Sequence, residues 1–333
     1  MKKRIAIIGS GISAASFYYF LDKERYDVEI FEKARGFGGR MSYKRSDNAA
    51  FDHGANCFGA INSEEFTLFT DKMIERKVVQ QWSGNFMVYD SNNGRIQDQE
   101  NKERLVSYPR SNSLIKEMFD GINQEQVHFS KKASKIQNGK QLEIIFEDDS
   151  KASNFDYVIT SAPAPQTKDL IPKNCSFYDQ VKEVEYDATY ALMLEYEADE
   201  VEIDKLDFSH IAVKHDIITR IAHENSKPGR DLKNHCILIH SSNKYANENL
   251  DTDHQKIQED MIKPFIEITG INQKPLSAKI HRWLYSNPKN NPQIQELFDH
   301  NLKIGAIGDY MHRPRLEFAF ESGLKMAKLL NSF

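Results

Sequence analysis

Cysteine is scarce in this 333-residue chain: Cys57, Cys175 and Cys236 are three in number, far apart and form no CxxC pair. Neither a disulfide framework nor a zinc site follows from such spacing, and a reducing cytoplasm is the expected setting. No apolar run approaches the roughly 20 residues that a membrane-spanning helix needs. Charge of one sign is also lacking, with 44 Lys and Arg against 49 Asp and Glu, a net charge of -5, which argues against nucleic acid as a partner. No Ser-His-Asp order, no HExxH and no cluster of metal ligands occurs, so hydrolase and metalloenzyme chemistry lack support and no metal is expected. Internal repeats and low-complexity segments are missing too.

What is present is ordinary for a soluble globular enzyme: 40% hydrophobic and 28% charged residues in 38.5 kDa, enough for one large or two interleaved domains with well-buried cores. Lys2, Lys3 and Arg4 before an apolar stretch ending in Ala14, Ala15 and Ser16 imitate a secretion signal. The same residues are better explained as a first strand and a glycine turn.

Residues 4–8 read as a β-branched strand, followed by Gly9-Ser10-Gly11-Ile12-Ser13-Ala14, an amphipathic helix through Leu21 and a second strand over 28–31. This β-turn-α-β order within about thirty residues makes the glycine pattern usable. A strand pair is expected at 142–146 and 157–160, joined by the polar turn Glu147-Asp148-Asp149-Ser150. From about 175 to 283 the texture changes to strand-like runs at 191–196, 211–213, 217–222 and 236–240 with one helix over 253–269, whose Ile257, Met261, Ile262, Phe265 and Ile266 recur at helical spacing. That pattern predicts a second unit on a mixed sheet. The chain then returns to a strand over 302–307, a Gly308-Asp309 turn and a last helix over about 316–330.

Gly9 and Gly11 allow the backbone close to a pyrophosphate, whose charge the free amides of Ile12, Ser13 and Ala14 and the positive helix end would stabilise. Glu32, with Lys33 beside it, ends the second strand, where a carboxylate binds adenosine ribose hydroxyls and repels a 2'-phosphate. This set alone says dinucleotide, NAD and FAD alike. Arg35-Gly36-Phe37-Gly38-Gly39-Arg40-Met41 favours FAD, because Gly39 permits a second close approach and Arg40 can neutralise phosphate charge.

Glu32 to Met41, followed by Phe51-Asp52-His53-Gly54-Ala55-Asn56-Cys57-Phe58, resembles the flavin amine oxidase superfamily and, within it, renalase-like proteins. Renalase-like sequences commonly carry Gly-Ala-Gln-Tyr-Phe in the second segment, so Asn56 and Cys57 are departures near the expected flavin ring. Thr160-Ser161-Ala162-Pro163-Ala164-Pro165, Asn225-Ser226-Lys227-Pro228-Gly229-Arg230 with His240-Ser241-Ser242, and His281-Arg282-Trp283 extend the resemblance over most of the chain. Tyr108-Pro109-Arg110-Ser111-Asn112 is the weakest block, since a glycine-methionine pair is usual there. At the other end, Gly308-Asp309 and Arg315-Leu316-Glu317 resemble the second half of an FAD site. There Asp309 would accept from ribityl hydroxyls, and the amides of Leu316 and Glu317 would open a helix aimed at the flavin ring. With no cysteine between residues 304 and 333, FAD is expected to be noncovalent.

The resemblance implies an α/β fold of the amine oxidase and p-hydroxybenzoate hydroxylase type: a Rossmann-type FAD-binding domain from residues 1–80, 127–172 and 300–333, interleaved with a mixed-sheet substrate domain from 81–126 and 173–299. It further implies an oxidase that converts isomeric dihydronicotinamide dinucleotides to NAD or NADP with oxygen as acceptor and hydrogen peroxide as product. Asn56, Tyr108, Asn225, His240 and Trp283 are the substrate-site candidates. Hydride transfer to flavin needs positioning and no strong general base. An amine oxidase, and a non-catalytic FAD-binding redox module using Cys57, are the alternatives.

Overall fold

The computed structural model describes residues 1–90, 92, 94–97, 104–199, 201, 203–290, 293–294 and 296–333, with the side chains of 203 and 204 left aside. Its first layer is a six-stranded sheet in the order Phe298–Asp299, Ile304–Ala306, Tyr157–Thr160, Lys3–Ile8, Tyr26–Phe31, Val127–His128. All neighbours in it are parallel except the first pair. Ile5 pairs with Val28 on one side and Tyr157 on the other. Ile5, Ala6 and Ile7 have no exposed surface, as a central parallel strand covered on both faces requires. The helices Ile12–Phe20 and Leu316–Asn331, from opposite ends of the chain, pack together on one face. Their approach depends on Gly323: a Cβ there would lie 2.1 Å from the Ser13 carbonyl oxygen.

A second sheet has seven strands in the order Ser277–Pro288, Tyr186–Tyr196, His235–Ser241, Ile218–His223, His210–Val213, Phe86–Asp90, Gly94–Gln97. It is mixed, because Phe86–Asp90 runs parallel to His210–Val213 while the other pairs are antiparallel. The helix His254–Thr269 covers it, capped by Asp253, whose side chain accepts from the Gln255 amide, and ended by Gly270 at φ 71°. Its buried Ile257, Met261 and Phe265 join the core of this sheet. The chain therefore has a mixed α/β fold with a Rossmann-like parallel sheet. Among the described residues no helix is long and apolar enough to cross a membrane.

One expected pairing is corrected. Leu142–Phe146 does not pair with Tyr157–Thr160; it is the middle of a separate antiparallel sheet between Ala133–Asn138 and Lys151–Phe155. The polar turn closes a hairpin at once, with the Phe146 amide donating to Ser150 O and Asp149 at φ 61°. The returning strand, Lys-Ala-Ser-Asn-Phe, is too polar to register as one. Asp156 then separates it from the parallel strand, accepting from the Arg4 amide at 2.7 Å.

Candidate functional site

Four loops follow the carboxyl ends of the parallel strands: Gly9-Ser10-Gly11, Glu32 onward, Ser161-Ala162 and Gly308-Asp309. Ligands of open α/β sheets bind along this edge. Gly9 turns the chain at φ 93° and donates its amide to Phe31 O at 2.9 Å. Beside Gly11 there is open space, because a Cβ built there would meet no atom within 4 Å. The following helix begins at Ile12 with no side-chain cap, so the amides of its first turn, including Ser13 and Ala14, remain the local donors. Glu32, 6% exposed, accepts from the Ser10 amide at 2.9 Å and hydroxyl at 2.7 Å, and from the Ala34 amide at 2.7 Å. Lys33 is exposed and reaches Gln166 Oε1 at 3.3 Å. Ala162 donates its amide to Thr160 Oγ1, and its carbonyl accepts from Thr167 Oγ1.

The second glycine loop lies directly against the first. Gly38 donates to Ser10 O at 3.1 Å, and a Cβ on Gly39, at φ 51°, would sit 3.2 Å from Gly11 Cα. Arg40 then forks onto Asp309, at 2.8 and 2.6 Å, and donates to Ser286 O at 2.9 Å. Arg40 and Asp309, expected to act separately on a cofactor, are thus brought onto each other. The Arg40 carbonyl accepts from the Ala55 amide at 2.7 Å, and Gly54 is glycine because a Cβ there would lie 2.0 Å from that oxygen. Met41 is buried beneath this junction.

On the C-terminal side, Gly308 donates to Ser322 Oγ, and the last helix opens at Arg315 and Leu316 with no side-chain cap. The Glu317 carboxylate faces the other way, accepting from the amides of Ile61 and Asn62 and from Asn62 Nδ2. Only its amide stays at the helix end. Two uncapped helix N-termini, a glycine cradle with room beside Gly11 and a fixed carboxylate at Glu32 together fit a dinucleotide with two phosphates.

The substrate-site candidates lie where the two sheets meet. The His53 carbonyl accepts from both Trp283 Nε1 at 2.8 Å and His240 Nε2 at 3.1 Å, and the His53 ring stacks on Trp283 with centroids 5.1 Å apart. Burial, then Arg220, holds His240 down at about 3; burial, then His281 and Lys44, holds His53 down at about 4. Both imidazoles are neutral near pH 7. Tyr108 packs its ring under Gly229, where a Cβ would come within 2.3 Å. The Asn225 side chain is committed to main chain, donating to Asn234 O and accepting from the Cys236 amide. Burial pushes the half-buried Cys57 thiol up, away from the reactive thiolate that a redox role would use.

Asn56 leads to a feature that the sequence did not announce. It donates to Glu224 Oε1 at 2.8 Å, and Glu224 belongs to a buried quartet with Asp52, Lys227 and Arg230, none more than 7% exposed. Lys227 bridges Glu224 at 2.8 Å and Asp52 at 3.0 Å, while Arg230 reaches Asp52 at 2.6 Å. Burial opposes charge on Asp52, but Lys227 and Arg230 outweigh it and hold the carboxyl at about 2. For Glu224 burial wins and the carboxyl is raised, with Lys227 opposing. The motif holding Lys227 and Arg230 and the one holding Asp52 were both visible. Their partnership across more than 170 residues was not. Among the described residues, no group of three or more His, Cys, Asp or Glu side chains is arranged to hold a metal ion.

Residues 7–72 match the model of a family described as an NAD(P)-binding Rossmann-like domain. Over its whole length the chain also superposes on putrescine oxidase bound to putrescine (9% identity, TM-score 0.75, 100% of each chain). A cyclohexylamine oxidase from Brevibacterium oxydans IH-35A is similar to the same degree (10% identity, TM-score 0.75, 100% of this chain and 99% of that one). Reduced UDP-galactopyranose mutase follows (12% identity, TM-score 0.74, 100% of this chain and 94% of that one). At such identities the likeness is one of fold, and the chain has the two-sheet fold that these proteins share.

Proposed function

We propose that this chain is a noncovalent FAD-dependent oxidase of the renalase-like kind. Its substrates would be 2- or 6-dihydro isomers of NAD(P), returned to NAD(P)+ with oxygen as acceptor and hydrogen peroxide as product. The observation that carries the reading is the junction of Gly11 with Gly39 and of Arg40 with Asp309, because a site assembled from both chain ends suits a cofactor as long as FAD. The structural likeness to putrescine and cyclohexylamine oxidases supports the same class. In this reading residues 1–80, 127–172 and 300–333 hold the cofactor, and residues 81–126 and 173–299 cover it.

FAD, when bound, supplies a hydride acceptor. The chain's own residues do the rest. The amides of Ile12, Ser13 and Ala14 hold phosphate, and Glu32 binds the adenosine ribose hydroxyls. Asp309, oriented by Arg40, accepts from the ribityl chain, while the amides of Leu316 and Glu317 stabilise negative charge at the uncapped helix end. Trp283, His53 and His281 form a neutral aromatic wall that excludes water and orients a flat substrate ring. Neither His53 nor His240 is an imidazolium at neutral pH, so neither is a general acid, which suits a hydride transfer governed by positioning.

The test is anaerobic mixing of the flavin-loaded protein with dihydro-NAD(P) isomers, with ordinary NADH and with a panel of amines, following loss of flavin colour. Bleaching by the isomers alone, reversed by air, is the expected result. Bleaching by amines alone would transfer the protein to amine oxidation, the second reading, which the same neutral aromatic wall and structural likeness favour.

A further inference from the structure

Five neighbouring strands of the seven-stranded sheet place Ala212, Arg220, His240, Ala191 and His281 directly opposite one another in a row. Residues paired in this way point to the same face of a sheet. His240 fixes which face it is, because its Nε2 meets the His53 carbonyl. The alternate residues Ile221 and Ile239 point the other way, into the core shared with the helix His254–Thr269. Arg220 is therefore aimed at the side where the two sheets meet, in a row otherwise made of two alanines and two neutral imidazoles.

A guanidinium in that position is poorly compensated by the protein itself. After burial, Arg220 is the foremost cause holding His240 and His210 down at about 3, so its charge reaches both rings. Arg220 is exposed, although His240 beside it is only 6% exposed. Among the described residues its side chain has no hydrogen bond and no ion pair. The carboxylates of Asp52 and Glu224, buried at the same interface, are spent on Lys227, Arg230 and Asn56. Lys44, whose charge acts on His53 and on His281 at the far end of the row, is likewise exposed and without an ion pair among the described residues. Two uncompensated cations flanking a neutral aromatic wall attract an anion and repel a cation, and a guanidinium grips an oxyanion with two parallel hydrogen bonds.

We infer that Arg220 anchors an oxyanion of the substrate, phosphate or carboxylate, while the substrate's ring lies along the wall of Trp283 and His53. The inference rests on the oxidase reading above and adds to it a residue that sets specificity: an anionic substrate is held, and a cationic amine is turned away.

The experiment uses the protein loaded with FAD, so that the phosphate cradle at Gly11 is filled. Isothermal titration with inorganic pyrophosphate and with succinate tells phosphate from carboxylate. Whichever binds should bind about tenfold more weakly to Arg220→Gln, the scale of one charge-assisted hydrogen bond, and Arg220→Lys should recover part of the loss. Anaerobic bleaching by dihydro-NAD(P) isomers should show the same rise in half-saturating concentration in Arg220→Gln at an unchanged limiting rate. Isomers of N-methyl-dihydronicotinamide, which carry no anion, should be indifferent to the substitution, whereas a merely structural role would affect both substrates alike. Equal losses for both substrates, anion binding that Arg220→Gln leaves intact, or no anion binding by the folded, FAD-loaded parent would each overturn the inference. Arg220-dependent anion binding in a protein that no dihydronicotinamide bleaches would keep the anchor and sink the substrate proposed above, so the two failures are distinguishable.

Discussion

Arg40 and Asp309 lie 269 residues apart in sequence and meet in a two-pronged ion pair, with the Asp309 side chain 4% exposed. A forked guanidinium-carboxylate contact fixes orientation as well as distance. Arg40→Lys, which keeps the charge and loses the fork, should leave the chain folded but release FAD more readily. Asp309→Asn should lower retention further. Dialysis followed by flavin absorbance reads this, and undiminished retention in both variants would remove the pair from the cofactor site.

Gly11 and Gly39 offer a sharper separation of fold from binding. Gly11 has ordinary backbone angles, φ -81° and ψ -175°, and a Cβ there meets nothing within 4 Å. Gly11→Ala should therefore melt like the parent while losing at least tenfold in FAD affinity, because the methyl enters the phosphate cradle. Gly39→Ala adds backbone strain of about 1–2 kcal/mol at φ 51°, so its melting temperature should fall as well. A Gly11→Ala protein that binds FAD normally would contradict the placement of the phosphates.

Glu32 holds Ser10 and Ala34 in place through its carboxylate. Glu32→Ala should purify largely without FAD. Isothermal titration with FAD checks it, and unchanged affinity would refute the ribose assignment.

The buried quartet sets a stability cost. Asp52→Asn removes the carboxylate that Arg230 reaches and leaves Lys227 with Glu224, and breaking a buried pair on one side costs about 3–5 kcal/mol. Denaturant unfolding should show a loss of that order. A loss below about 1 kcal/mol, the scale of an exposed pair, would mean that water reaches the quartet.

Acid should weaken the fold through its buried histidines. Burial first, then cationic neighbours, lowers His53 to about 4 and His240 to about 3, and burial with His235 lowers His223 to about 4, all from an ordinary 6.5. These depressed values favour the neutral form in the folded state. Their contribution is full above 6.5 and lost as pH falls, because the unfolded chain takes up protons first. Each histidine adds a slope of about 1.4 kcal/mol per pH unit between 6.5 and its own value. Asp52, held at about 2 against an ordinary 3.8, adds a further loss below that. Melting temperatures should decline from pH 6.5 to 4; a flat profile over that window would contradict the burial of these rings.

The glycine turn, its flanking strands and the last helix were legible because each is written locally: β-branched runs, Gly9 and Gly11, and an apolar stripe from Leu316. The long central strand Tyr186–Tyr196 was seen only in its second half, since Tyr186-Asp187 at its start reads as loop. Lys151–Phe155 was hidden by polar residues on an exposed hairpin. At the site, the residue types were readable but not their pairings. Arg40 with Asp309, and Asp52 with Lys227 and Arg230, depend on long-range packing that leaves no periodic trace. Asn225 was a candidate by resemblance, and its side chain hydrogen-bonds main chain, donating to Asn234 O and accepting from the Cys236 amide.

The central claim is that the two chain ends build one flavin site. Its most direct measurement is the visible absorbance of the purified protein, followed by identification of whatever heat releases from it. The account predicts a yellow protein, or a colourless one that turns yellow with stoichiometric FAD, and free FAD on denaturation. A folded, colourless protein that takes up no FAD would contradict it.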